Sequence, residues 1–137
     1  MLTTTASHGC FALPDDFLLW HPTCHHSHDL DAKAEAFLNL SPYRELSLLY
    51  VWGHAYEFDR EEPSNNWKLI EAFCEKVSSR DDIWYATNLE IFEYVAALRS
   101  LVISVDGKLL RNRSGLDLWV QADGKPVKIP AGAGVTL

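Results

Sequence analysis

Apolar side chains recur at intervals of three and four residues in three segments of the chain, which predicts three amphipathic helices. The first begins near Leu30, with Asp29 in front of it as a candidate N-cap. The second begins at Trp67, and the third follows Thr87. Glu90 stands three residues after Thr87, which is the spacing of a capping box.

Two apolar runs lack any polar alternation and predict strands that are buried on both faces. They cover residues 46–52 and residues 83–86. Because these strands alternate with the helices, the first hundred residues indicate a parallel α/β layer. Two parallel strands are too few for a stable, doubly covered sheet. Either the first thirty residues hold further strands, or the sheet is part of a larger one.

The pattern changes after residue 100 to short apolar strands separated by Asp106-Gly107 and Asp123-Gly124. An Asp-Gly pair supplies the positive φ angles of a type I′ hairpin turn. We therefore expect two parts, an α/β part over residues 1–100 and a small antiparallel β appendage over residues 101–137.

Composition and charge indicate which kinds of partner and cellular location the chain favours. The chain has 137 residues, 47% of them hydrophobic, and a net charge of −7, so a core is possible and a nucleic-acid partner is disfavoured. Neither a membrane-spanning run nor a signal peptide is recognisable, and nothing favours a membrane surface. The three cysteines form no C-x-x-C pair, which favours reduced thiols and a cytoplasmic location.

The candidate chemistry centres on His54, which follows the first predicted strand at the end where α/β proteins place their reactive groups. An inert, hydrogen-bonded histidine is the alternative. Four of the six histidines lie in the predicted loop over residues 21–29, together with Cys24. This loop fits the rim of a site, a zinc or copper site, or simple loop polarity, and its spacing matches no closed zinc motif.

Several blocks of the sequence, in order, resemble the C-terminal half of bacterial polysaccharide deacetylases (carbohydrate esterase family 4-like). The blocks are FALPDDF at 11–17, WHPTCHH at 20–26, YVWGHAYEFD at 50–59, NNW at 65–67, LIE at 69–71, DDIWYATN at 81–88 and the tail from 120 to 137. The resemblance covers nearly the whole chain. It implies a partial, half β/α barrel that carries the antiparallel appendage.

The family removes N-acetyl groups from sugars with a divalent metal, commonly zinc, that activates water. The resemblance implies that His54 is the catalytic acid that protonates the leaving amine, and that Tyr56, His25, His26 and Trp52 contact the sugar. The family's aspartate pair and His-x-x-x-His segment, which supply the base and the metal ligands, belong to the N-terminal half. Asp15-Asp16 and the His21/His25 pair have the matching spacing but lie in the later blocks of the resemblance, so no metal ligand is assigned to this chain.

Two functions follow from the resemblance. In the first, the chain belongs to a hydrolase of carbon–nitrogen, non-peptide bonds that acts on an N-acetylated oligosaccharide and is inactive alone. It is then completed by a partner chain with the N-terminal half, or it self-associates into a homo-oligomer, since open strand edges pair with something. In the second, it is a non-catalytic remnant or a module that binds carbohydrate or protein.

Overall fold

The computed structural model describes residues 10–41, 45–59 and 67–137. The Asn65-Asn66 pair of the resemblance, the polar N-terminus and Pro42 lie outside these residues. The chain divides into two compact units, Met1–Trp84 and Tyr85–Leu137. The third helix therefore belongs to the second unit, whereas the sequence placed it in the part that ends at residue 100.

The first unit contains two short strands that run parallel, in agreement with the α/β pattern. Its elements are β1 (Cys24–His25), α1 (Leu30–Leu38), β2 (Val51–Trp52), a single 3₁₀ turn (Ala55–Glu57) and α2 (Trp67–Val77). Strands β1 and β2 pair in parallel, with Cys24 opposite Val51 and His25 opposite Trp52. The chain thus forms a β-α-β unit, the building block of parallel sheets.

Strand β1 lies inside the histidine-rich segment that the sequence predicted to be a loop, and that prediction was wrong at Cys24–His25. Pro22 and the polar histidines hid a strand of two residues, because such a strand is too short to show periodicity. The described part of the first thirty residues thus contains one strand that the sequence did not show.

The predicted strand over residues 46–52 is shorter and less buried than expected. Only Val51–Trp52 is a strand, Leu46 is 54% exposed and Trp52 is 47% exposed. The backbone before β2 also runs beside the segment before β1, since the Tyr50 carbonyl accepts a hydrogen bond from the Thr23 N–H at 2.7 Å. Burial on both faces requires a layer such as helices packed on each face. Val51 is half-buried and Trp52 is exposed, so the faces of β2 are not both covered.

Helices α1 and α2 are joined by two ion pairs. Leu30 and Ala34 of α1 are buried, and Lys76 of α2 pairs with Asp31 and Glu35. Asp29 stands at the N-cap of α1 but adopts a left-handed conformation, and its side chain makes no cap hydrogen bond. The helix is confirmed, but the expected capping by Asp29 is not.

The second unit combines one helix with two small antiparallel sheets. Its elements are α3 (Asn88–Arg99), β3 (Val102–Ile103), β4 (Leu109–Arg111), β5 (Leu118–Ala122), β6 (Lys125–Ile129) and β7 (Gly134–Thr136). The strand order is β3-β4-β7 in one sheet and β5-β6 in the other. The capping box of Thr87 and Glu90 is present as predicted. The apolar run at residues 83–86 forms no strand.

The two Asp-Gly turns differ. Asp123 and Gly124 both have positive φ, of 48° and 74°, as a type I′ turn requires. Gly107 has a φ of 72° but Asp106 does not have a positive φ, so the type I′ prediction was wrong there. The Gly107 N–H donates to the Ser104 carbonyl at 2.9 Å, which fits a type I turn followed by a left-handed glycine.

The core of the second unit is apolar with one polar centre. Leu118 and Ile129 are fully buried and pack with Ala97 and Leu110. Asn112 is also fully buried, and its amide nitrogen donates to the carbonyls of Leu116, Ile129 and Pro130 at 2.7–3.1 Å. The buried amide thereby joins three backbone carbonyls at the centre of the unit. Among the described residues, no helix is long and apolar enough to cross a membrane.

Candidate functional site

The site is built where β1 and β2 end, at their carboxyl sides. His25 is the last residue of β1, and a turn begins at His26. The turn is closed by the His28 N–H, which donates to the His25 carbonyl at 2.9 Å. Because β1 ends at His25, the rings of His25 and His26 do not point to opposite faces of the sheet, as consecutive residues of a strand would. Their centroids lie 4.3 Å apart.

One carboxylate oxygen joins the two strand ends. Oε2 of Glu57 lies 3.1 Å from Nε2 of His25 and 2.9 Å from Nε2 of His26. It also accepts the backbone N–H of His54 at 3.0 Å. The 3₁₀ turn over Ala55–Glu57 brings the Glu57 side chain back over the end of β2. Glu57 thus links residues that are distant in sequence.

The surrounding hydrogen bonds indicate where the imidazole protons lie. The Ser27 N–H points to Nδ1 of His25 at 3.2 Å, so Nδ1 accepts and the ring proton is on Nε2, the nitrogen 3.1 Å from Glu57. His26 is only 2% exposed. Its Nδ1 has no hydrogen-bond partner among the described residues, whereas its Nε2 contacts Glu57. A buried polar atom without a partner is uncommon and is a feature of functional sites.

Glu57 is held in its ionised form. The backbone N–H of His54, the hydrogen bond from His26 and the positive charge that His25 and His26 can carry lower the pKa of Glu57 to about 2. The carboxylate is consequently negative at neutral pH.

Gly53 gives the His26 ring the space it occupies. A Cβ atom at position 53 would lie 2.8 Å from Nε2 of His26 and closer still to its Cδ2. Close packing against the His26 ring therefore explains why a glycine precedes His54 in the sequence. The ring of His26 also contacts Phe58, with 4.5 Å between centroids.

His54, Tyr56 and Trp52, which the sequence assigned to the site, form an exposed aromatic row. The His54 and Tyr56 rings stack at 5.2 Å with an angle of 18° between their planes. Trp52 meets His54 edge-on at 5.9 Å and His25 edge-on at 4.8 Å. His54 and Tyr56 are exposed. The structure thus brings the three together and leaves all of them open to solvent.

An open depression of about 670 Å³ adjoins this row. It is lined by Pro22, Thr23, Cys24, His25, Ser27, His28, Asp29, Lys33 and Trp52. Burial raises the pKa of the Cys24 thiol despite the opposing charge of Lys33, so Cys24 is a poor nucleophile at neutral pH. His26, by contrast, is buried behind the surface.

The sequence therefore located His25, His26, His54, Tyr56 and Trp52 in one region, but it did not identify the role of Glu57. The signal was available in the spacing: Glu57 follows His54 by three residues, as in a capping box, and the structure contains that box. The donor atoms of His25, His26 and Glu57 lie within 4.8 Å of one another. Two imidazoles and a carboxylate suit a borderline divalent metal such as zinc, so these residues fit the metal type that the resemblance implies.

Comparisons with known proteins give no relative: no family model, no curated protein and no solved structure matches the chain. The deacetylase resemblance accordingly stays a prediction from the sequence.

Proposed function

We propose that this chain forms the C-terminal part of a polysaccharide deacetylase-like hydrolase that removes acetyl groups from N-acetylated sugars. The observation that carries the proposal is the position of His54. It lies two residues beyond the carboxyl end of β2, a strand in parallel pairing, and its side chain is exposed. Reactive groups of α/β proteins occupy this position.

In this reaction His54 donates a proton to the nitrogen of the leaving amine. An exposed imidazole can reach substrate, and histidine is the side chain that most often transfers protons in enzymes. The hydrogen bond from its backbone N–H to Glu57 fixes the main chain. Stacking on Tyr56 limits the directions that the ring can take. When bound, the divalent metal supplies the activated nucleophile; the residues of this chain position the sugar and deliver the proton.

The exposed aromatic row is the proposed sugar-contacting surface. Tyr56 is 58% exposed and Trp52 is 47% exposed, so both offer flat apolar faces with room for a ring. His25 adjoins them at the depression. His26 is buried, and we assign it to holding Glu57 rather than to direct contact.

The proposal includes completion by a second polypeptide segment, which carries the aspartate pair and the His-x-x-x-His of the family. Strands β1 and β2 pair only with each other within the described part of the chain, so each has an edge that can accept another strand. A partner with the N-terminal half, or a second copy of this chain, would cover these edges. We also propose a cytoplasmic location, supported by the free thiols of Cys10, Cys24 and Cys74.

The second candidate function is a non-catalytic carbohydrate-binding module. The exposed row of Trp52 and Tyr56 is the observation that favours it, because aromatic faces alone suffice to bind sugars. It requires neither a base nor a metal.

Acetate release from a chitooligosaccharide in the presence of zinc tests the enzyme. The chain is assayed alone and with the product of any coding region immediately upstream that encodes an aspartate pair and a His-x-x-x-His. We expect release only with that partner, and a decrease of about 10²–10⁴-fold in His54→Gln. The exposed substitution Lys128→Gln in the second unit is the matched control and should keep full activity.

Acetate release that His54→Gln leaves unchanged would contradict the role of His54. Binding of the oligosaccharide by the chain, without acetate release under either condition, would favour the binding module instead.

A further inference from the structure

The first feature of interest is that three ligand atoms converge although each comes from a different local environment. His25 is the last residue of β1 and His26 is the first residue of the turn that follows. Glu57 is the last residue of the 3₁₀ turn after β2. Nε2 of each histidine approaches the same oxygen, Oε2 of Glu57, at 3.1 Å and 2.9 Å. We propose that His25, His26 and Glu57 form a three-ligand zinc site whose fourth position is open to solvent. This proposal uses only residues of this chain and does not rest on the deacetylase function.

The spacing of these atoms fits a tetrahedral ion after a small adjustment. Zinc bonds to nitrogen and oxygen are 2.0–2.2 Å long, so neighbouring ligand atoms lie about 3.3 Å apart. Oε2 of Glu57 lies within a few tenths of an ångström of this distance from each nitrogen, and all three ligand atoms lie within 4.8 Å of one another. His₂Glu is moreover a ligand set that proteins use for zinc with an open position.

At His25 the rearrangement exchanges one hydrogen bond for another, because Nδ1 accepts the Ser27 N–H when it carries no proton. Coordination through Nε2 moves the imidazole proton to Nδ1. Nδ1 of His25 lies 2.7 Å from Oγ of Ser27, which can accept that proton. Such an outer hydrogen bond orients metal-ligating histidines and fixes their tautomer.

The same rearrangement leaves His26 with no additional unpaired atom. Nδ1 of His26 already lacks a partner among the described residues, and it lacks one in either tautomer. The ring is held by packing instead, between Gly53 and Phe58. An imidazole so fixed is preorganised to bind a metal through Nε2.

Glu57 supplies the negative charge for the ion, and the partial exposure of the site lets the ion enter from solvent. The pKa of Glu57 is about 2, so the carboxylate is ready to coordinate at neutral pH. The side chains of His25 and Glu57 are 13% and 14% exposed, which leaves a path from solvent to the ion. The position nearest the depression beside His25 remains for water or an external ligand.

Zinc titration of the full chain, followed by competition with a chromophoric chelator, tests this site. We expect one strongly bound ion per chain, and a loss of affinity of about 100-fold or more in Glu57→Gln and in His25→Gln. Ser27→Ala should weaken binding by about 10-fold, because it removes the acceptor for Nδ1 of His25. Cobalt(II) in place of zinc should give visible absorption bands of four-coordinate intensity, and the two ligand variants should lose them.

The matched controls are His28→Asn and Cys24→Ser, which change potential ligands that line the same depression. Both should bind zinc as the unmodified chain does. The test relies on His25 and Glu57 rather than on His26, because His26 is buried and its replacement disturbs the fold. Far-ultraviolet circular dichroism should be unchanged in each variant used.

Failure of the unmodified chain to bind zinc would overturn the proposal. So would unchanged affinity in Glu57→Gln and His25→Gln, or a loss of affinity confined to Cys24→Ser or His28→Asn. None of these results depends on acetate release, so they are separable from the proposed hydrolase activity.

Discussion

The two units of this chain bury different chemistry. In the second unit the fully buried side chains are Leu118, Ile129 and Asn112, and Asn112 has several hydrogen-bond partners. In the described part of the first unit the largest side chain buried to a similar degree is His26, whose Nδ1 has no partner there. One unit is arranged for stability, whereas the other tolerates an unsatisfied polar atom.

This difference shows where the chain gives up stability. A buried polar atom without a partner costs about 1–3 kcal/mol, and such costs persist where a site needs them. The stable unit also contains the predictable hairpin of β5 and β6. The unit with the unpaired imidazole contains the candidate site. Four substitutions test this division.

The largest effect is expected from Leu118→Ala, which leaves a cavity in the apolar core of the second unit. Large-to-small substitutions at fully buried leucines cost about 2–5 kcal/mol. Denaturant-induced unfolding measures the loss, and hydrogen exchange should show it confined to Tyr85–Leu137. Leu89→Ala, at a leucine that is 62% exposed, is the control and should change stability by about 0.5 kcal/mol or less. Equal effects of the two substitutions would contradict an apolar core centred on Leu118.

Next in size is Gly53→Ala, which places a methyl group against the buried His26 ring. Such overpacking costs about 1–3 kcal/mol, and hydrogen exchange should increase in the first unit only. Gly115→Ala is the control, because its Cβ would meet no atom within 4 Å. If Gly53→Ala leaves stability and the environment of the His26 ring unchanged, the close packing of His26 is disproved.

A smaller effect is expected from Gly124→Ala in the type I′ turn between β5 and β6. No atom lies within 4 Å of the added Cβ, so its cost comes only from the backbone, whose φ is +74°. A left-handed conformation costs an L-residue about 1 kcal/mol. Gly124→Asn should recover part of the loss in thermal unfolding, since asparagine tolerates this region. A cost equal to that of Gly53→Ala would show that backbone strain and steric overlap are not separable here.

The smallest effect should be a pH-dependent one at Glu57, because this carboxylate is partly exposed and its interactions are screened. Its pKa is about 2 in the folded chain and 4.5 ordinarily. A depressed pKa stabilises the folded state fully above pH 4.5, and this contribution is lost as the pH falls towards 2.

Glu57→Gln should remove this part of the acid sensitivity, as measured by unfolding at a series of pH values. Asp106→Asn is the control in the second unit, where the hydrogen bond from Ser104 lowers the pKa of Asp106. Asp106→Asn should change the pH dependence of amide hydrogen exchange in the second unit only. An unchanged acid profile of the first unit in Glu57→Gln would refute the charge assigned to this carboxylate.

Local signals in the sequence predicted much of the fold. Helices α1, α2 and α3 follow from apolar spacing, and the capping box of Thr87 and Glu90 follows from two residues. The Asp123-Gly124 turn follows because the positive φ angles that it needs restrict the residue types. These features depend on neighbours within a few positions, so they are readable from the chain.

Other features could not be read from the local apolar pattern, for different reasons. Strand β1 exists because the backbone at His25 pairs with Trp52, and no local pattern announces that pairing. The turn at Asp106-Gly107 took a different form because the Ser104 and Asp106 side chains hydrogen-bond within the loop. The strand expected at residues 83–86 did not form, since apolar content alone does not supply a neighbour.

The sequence by itself placed His54 after a strand and marked the histidine-rich segment as chemically dense. Tertiary structure decided that His25 and His26 share one oxygen of Glu57, that His54 stays exposed, and that Gly53 makes room for an imidazole. The physical reason is range. Spacing along the chain determines turns and helix faces, but ligand atoms from separate strand ends converge only when the parallel pairing of β1 and β2 brings those ends together.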